Sequence, residues 1–136
     1  MPVVSKELRY AVSLSSDGRF QSEDGTDLDV ADSWTAEHLM LAALIRCAIE
    51  SLRYSARKAG TNVTEASGSG RALVRKRDSD GRYAVVRADV TLDVAFDPKP
   101  ERPVLADVLS WAERGCFIGS SLTAKPVYHW NVAQAS

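Results

Sequence analysis

Leu8, Tyr10, Val12 and Leu14 recur at every second position and stop at Ser15-Ser16-Asp17-Gly18, the pattern of a strand running into a turn. A second short strand is predicted around Arg19 to Ser22. After the Asp24-Gly25 pair, Leu28 and Val30 share one face of a third extended segment. Residues 1–33 therefore read as a meander of short strands. From residue 34 to 60 the period becomes helical: Ser33 or Thr35 can cap, Glu37 falls in the first turn, and Gly60 is a natural stop. Leu39, Met40, Leu41, Ala42, Ala43, Leu44 and Ile45 run together, which predicts a long central helix buried on several sides. In its second half Arg46, Glu50, Arg53 and Arg57 step by four, three and four and form one polar stripe, facing water or a polar cleft.

Residues 61–97 read as a hairpin in which segments 62–77 and 82–96 flank the turn Asp78-Ser79-Asp80-Gly81. In the second segment Val86, Ala88, Val90, Leu92, Val94 and Phe96 share the core face, and Arg87, Asp89, Thr91 and Asp93 the wet one. Thr64, Ala66, Gly68, Gly70 and Ala72 put small residues at alternate positions of the first, room for a helix or a partner to approach closely. Pro98, Pro100 and Pro103 break the sheet, and Val104, Leu105, Val108, Leu109, Trp111 and Ala112 resume helical spacing up to Gly115. Residues 101–122 thus hold a second helix and the segment opened by Cys116, and residues 125–134 close the chain as a strand. This is an α+β pattern of the size of one domain, 1–136.

Charge narrows the function. Seventeen Lys and Arg against eighteen Asp and Glu give a net charge of -1, no excess to recruit nucleic acid or an anionic membrane. The opening MPVVSKELRYAV lacks the basic start and apolar run of a secretory signal, and Arg46 interrupts the longest apolar stretch, so a cytoplasmic protein is expected. The basic residues Arg71, Arg75, Lys76 and Arg77 read as a solvated strand end. His38 and His129 do not pair with a cysteine by spacing, and no Cys-x-x-Cys or Cys/His cluster offers metal spacing, so no metal is expected.

In a reducing compartment two cysteines are not a static clip, which leaves free, inert or redox-active thiols. Cys47 lies in the middle of the apolar helix, where by residue physics alone it reads as a small hydrophobe. Cys116 follows a helix-ending glycine, where backbone N–H groups of a following turn would favour its thiolate. A disulfide between them requires Cα atoms within about 7 Å, which spacing does not decide.

Two motifs do point somewhere. Trp34-Thr35-Ala36-Glu37-His38-Leu39 followed by Leu41-Ala42-Ala43-Leu44-Ile45-Arg46-Cys47 resembles the first-cysteine pattern of the OsmC/Ohr family, with the same interval from glutamate to cysteine. Ala112-Glu113-Arg114-Gly115-Cys116-Phe117-Ile118-Gly119-Ser120-Ser121-Leu122 is similar to the segment around that family's second cysteine, with Phe117 in place of a common proline. The resemblance covers Trp34 to Leu122 and the N-terminal meander in outline. It implies an OsmC-like α+β fold, antiparallel sheets around a long buried central helix, in an intertwined homodimer. It further implies a thiol-dependent peroxidase: Cys47 attacks an organic hydroperoxide, becomes a sulfenic acid, and is captured by Cys116 as a disulfide. No bound cofactor is implied, only an external dithiol reductant such as a lipoyl group.

A thiol in apolar surroundings needs a nearby cation to become a thiolate, and the family supplies an arginine held by the first-motif glutamate. Glu37 matches that glutamate. Ten residues of helix, about 15 Å, separate it from its own Cys47, so the resemblance has each site drawing on both chains. The family's arginine loop aligns here with Ser16, and Arg19 comes three residues late. Arg19 is assigned the role, with Arg46 as the alternative, although Arg46 also belongs to the polar stripe and points about 100° away from Cys47. Leu39, Met40, Ala43, Leu44 and Phe117 are the expected apolar wall for substrate. The competing reading is a non-catalytic protein of the same fold that binds an apolar small molecule.

Overall fold

The structure, a computed structural model, describes residues 5–133. They fall into two compact units that join in sequence between Thr35 and Ala36, where the strand meander gives way to the helix.

The N-terminal unit is a three-stranded antiparallel sheet of β1 (Val12–Leu14), β2 (Phe20–Ser22) and β3 (Asp27–Leu28), in that order. Gly18 and Gly25 close its two turns at φ of 88° and 86°, a region that glycine enters without a Cβ penalty. The strands are shorter than the alternation predicts. Leu8 and Tyr10 lie ahead of β1, because β2 ends at Ser22, where the chain turns back through the Ser22–Thr26 hydrogen bond and the ladder opposite β1 stops.

The second unit contains α1 (Ala36–Lys58), β4 (Asn62–Lys76), β5 (Tyr83–Asp97), α2 (Arg102–Arg114), α3 (Phe117–Ser121) and β6 (Val127–Val132). Trp34 and Thr35 of the expected helical segment precede α1. Its C-terminus closes as expected at Gly60, φ 87°: Gly60 N–H donates to the Arg57 carbonyl and Thr61 N–H to that of Ala56, the double bond of a Schellman motif. β4 and β5 form the long hairpin, with Gly81 at φ 69° in its turn. Ala88, Val90, Leu92, Val94 and Phe96 are buried as their alternation predicts, and Val86 is half-buried.

The sheet order is β4-β5-β6, and β6 runs parallel to β5, pairing Asp89 with Val127 through Val94 with Val132. This corrects the expectation of purely antiparallel sheets. The chain leaves β5, crosses through α2 and α3 and returns in the same direction, the kind of helical crossover that a parallel pair requires. The expected strand end at residue 134 lies outside the described residues.

α1 packs on β4 and β5 and against α2. The small residues of β4 serve this contact: a Cβ at Gly68 would lie 3.1 Å from both Ile45 Cγ2 and the Thr91 carbonyl oxygen, and one at Gly70 3.3 Å from Leu41 Cδ2. Gly68→Val should therefore overpack the helix–sheet interface and cost about 1–3 kcal/mol, read as a lower urea midpoint with little change in slope. Burial on α1 follows one stripe, Leu44, Ala48, Leu52, Ser55 and Ala56, which joins β5 and the α2 residues Val108 and Ala112 in a single core. The helix is not covered all round as its sequence predicts, since Ala42 and Ala43 are exposed in this chain. Among the described residues, one sheet face, α2 and the short α3 pack against it.

Candidate functional site

Cys47, Ser51 and Ser55 recur at i, i+4 and i+8, so they share one face of α1. That face meets α2: Ser51 Oγ donates to the Ala112 carbonyl at 2.7 Å and Ser55 Oγ to that of Val108 at 2.8 Å. The two hydroxyls take up carbonyls on α2 and fix the distance between the helices. Gly115 ends α2 with its N–H on the Trp111 carbonyl at 2.8 Å, and a Cβ there would lie 2.8 Å from Ser51 Oγ. The chain is thereby held tightly beside α1 as it enters Cys116, which stands at the N-cap of α3.

The result is a convergence of the two thiols. The Ile118 N–H donates to Cys47 Sγ at 3.5 Å, which holds the segment that follows Cys116 against Cys47, and the two thiols influence each other electrostatically. Both cysteines are free thiols, Cys47 half-buried and Cys116 fully buried. Burial pushes the Cys116 thiol above its ordinary range. The Tyr128 hydroxyl and the Gly119 N–H oppose that shift, and the neighbouring Cys47 adds to it.

Because the folded state holds this proton more tightly than the unfolded chain, its stabilising effect is complete below the ordinary thiol range, about 8.5. It is lost as pH rises through the elevated value. Urea midpoints should thus fall above about pH 8.5, and less so in Cys116→Ser.

Cys47 opens onto a cleft of about 770 Å³ whose walls include Ser51, Tyr54, Trp111 and Phe117, with Glu50 and Lys58 also bordering it. Of the expected substrate wall, Phe117 lines this cleft, and Leu39, Met40, Ala43 and Leu44 do not. Leu44 belongs to the fully buried stripe, about 60° round the helix from Cys47. Ala43 continues the Cys47 stripe one turn earlier, where it is exposed, and Leu39 and Met40 are half-buried nearer the N-terminus. The cleft runs the other way, towards the C-terminal end of α1. Tyr54 and Trp111 are exposed aromatics on two different helices; by sequence Tyr54 does not stand out and Trp111 is only part of the second helix's apolar spacing, since their meeting beside Cys47 is visible only once α2 is docked.

The other candidates fall in different places. Glu37 is exposed in the first turn of α1, separated from its own Cys47 by ten residues of unbroken helix. Arg46 is exposed and pairs with Glu50 at 3.1 Å, as the polar stripe predicts. Arg19, in the N-terminal unit, sits among Asp27 at 3.5 Å, Asp29 at 3.7 Å and Asp17 at 4.0 Å. Among the described residues no cluster of His, Cys, Asp and Glu could hold a metal ion, and no helix is long and apolar enough to cross a membrane.

This arrangement of hairpin, long helix and crossover is the OsmC-like fold: structural neighbours of the chain are consistently OsmC-like or organic hydroperoxide resistance proteins. An OsmC-like protein of unknown function from Vibrio cholerae superposes with a TM-score of 0.72 at 17% identity, covering 93% of this chain and 99% of that one. An organic hydroperoxide resistance protein from Elizabethkingia anophelis, solved with thiocyanate bound, gives 0.67 at 11% identity over 97% and 100%. An OsmC-like protein from Mycoplasma pneumoniae gives 0.67 at 10% over 98% and 100%. No protein-family model and no curated protein matches the sequence.

Proposed function

We propose that the protein is a thiol-dependent peroxidase acting on organic hydroperoxides, with Cys47 as the attacking residue and Cys116 as its partner. The observation that carries this is the pairing of a thiol at the head of an aromatic-walled cleft with a second thiol buried behind it. The Cys47 thiolate attacks one peroxide oxygen, the O–O bond breaks, and the organic part leaves as an alcohol after taking a proton. Cys47 is left as a sulfenic acid. The Cys116 sulfur then attacks the Cys47 sulfur, the hydroxyl departs as water, and a disulfide results. An external dithiol, such as a lipoyl group, returns both thiols. The organic hydroperoxide resistance proteins among the neighbours support the substrate class, as does a cleft within the range of small-molecule sites, about 300–1,000 Å³.

The site is completed in a homodimer. The exposed alanines of the first half of α1 support this, and so does the span of helix between Glu37 and its own Cys47. Arg19 is the activating cation and Glu37 the residue that orients it. Arg19→Ala should slow oxidation of Cys47 at neutral pH about tenfold or more, the effect of one unit in thiolate availability. Arg46→Ala, whose partner Glu50 keeps it exposed on the stripe, should change the rate less than about twofold. The reverse ranking would transfer the role to Arg46.

The proposal as a whole is tested by following cumene hydroperoxide in the presence of dithiothreitol. Catalytic consumption, with loss of free thiols when the dithiol is omitted, is expected. Binding of an apolar ligand in the cleft without any consumption would favour the alternative, a non-catalytic protein of this fold.

A further inference from the structure

Behind the two thiols stands a group that the reaction above does not use. Tyr128 lies on β6, next to β5, with its ring stacked on Trp130 at 6.2 Å between centroids and 6° between planes. The Trp130 Nε1–H donates to Glu113 at 2.9 Å, which ties this aromatic pair to α2. The phenol reaches over α3 at Gly119, where no side chain could stand: a Cβ there would lie 2.1 Å from the Tyr128 oxygen and 3.3 Å from Cys116 Sγ. Glycine at 119 is thus the opening through which the phenol meets the sulfur.

We propose that Tyr128 donates a hydrogen bond to Cys116 Sγ that stabilises the thiolate both when Cys116 closes the disulfide and when it leaves during reduction. This rests on the peroxidase reading for its place in a cycle. The polarity is fixed by chemistry. Burial first, then the Cys116 sulfur, hold the Tyr128 hydroxyl well above the usual phenol range, so it keeps its proton and has it to donate to a Cys116 thiolate, which can only accept. The titratable groups facing this sulfur are Cys47 from α1 and Tyr128 from β6, and Glu113 of α2 acts on Tyr128 as a nearby charge.

The same geometry assigns the direction of reduction. Cys116 is fully buried and Cys47 borders the cleft, so an external thiolate attacks Cys47 Sγ. The S–S bond breaks with its electron pair on Cys116, which Tyr128 receives and which then takes a proton. The second thiol of the reductant attacks the mixed disulfide, releasing Cys47 as thiolate and the reductant as its own disulfide. Donors lower the basicity of a thiol, which makes it a better leaving group, while intrinsic nucleophilicity falls less steeply than basicity.

The test is Tyr128→Phe, with disulfide closure after one equivalent of cumene hydroperoxide followed by acid quenching at timed intervals and mass spectrometry of the Cys47–Cys116 disulfide. For a hydrogen bond equivalent to one unit of basicity, closure at pH 7 should slow about threefold. Once both proteins are fully thiolate at high pH, the variant should become about threefold faster. Reduction by dithiothreitol of disulfide prepared with diamide should be slower in the variant at every pH. Gly119→Ala, which drives the phenol off the sulfur while leaving it in the chain, should act in the same direction. Unchanged rates, or slower closure at all pH values without the crossing, would overturn the proposal, the latter leaving only a packing role. If peroxide fails to oxidise wild-type Cys47, the peroxidase reading falls, while the diamide arm still decides the role of Tyr128.

Discussion

Cys47→Ser is expected to reduce hydroperoxide consumption to the uncatalysed background, a loss on the order of 10⁴-fold or more in kcat/KM. Serine is not ionised at neutral pH and forms no sulfenic acid, so neither half of the cycle survives. The change is nearly isosteric, and Cys47 lies at the cleft rather than in the fully buried stripe of Leu44, Ala48 and Leu52. Folding should therefore persist, and the urea midpoint separates lost chemistry from lost structure. Turnover near the wild-type rate would remove Cys47 from the mechanism.

Cys116→Ser is the second large effect, with a different signature. The first oxidation should proceed at close to the wild-type rate, because the attack on peroxide belongs to Cys47. The sulfenic acid then has no buried thiol to capture it. With an external dithiol only slowly replacing that function, steady turnover should fall about tenfold or more, and sulfinic and sulfonic forms of Cys47 should accumulate with each further equivalent of peroxide. Mass spectrometry of the Cys47 peptide reads this directly. Unimpaired turnover without over-oxidation would mean that Cys116 has no part in resolving the intermediate.

How far these residues could be found from sequence varies with the kind of information each needs. The β5 core face was legible because a strand packed on one side repeats its solvent exposure every second residue. α1 was legible because its cap region, helical period and Gly60 stop agree. The close approach of α1 to β4 could be read from Gly68 and Gly70, since only small residues leave that space. The parallel return of β6 was not legible: Val127 to Val132 alternates equally well in either direction, and the choice depends on the crossover through α2 and α3.

The site divides in the same way. Both cysteines were legible as motif positions. The direction of the cleft was not, because it is set by the docking of α2 through Ser51 and Ser55, two hydroxyls that along the sequence look like ordinary polar helix positions. Four of the five expected wall residues came from reading the apolar run before Cys47, whereas the cleft uses the amphipathic turns after it. Tyr128 carried no local signal at all. Its approach to Cys116 depends on the space left by Gly119, which borders both the phenol oxygen and the sulfur, and neither strand period nor helix period encodes such a meeting.

The most direct measurement adds one equivalent of cumene hydroperoxide to the fully reduced protein, then digests it without reductant and maps the linked peptides. A single intramolecular Cys47–Cys116 disulfide, formed in step with loss of the peroxide, is the expected result. Peroxide left unconsumed with both thiols still free, or Cys47 oxidised with Cys116 never joined to it, would contradict the two-cysteine mechanism.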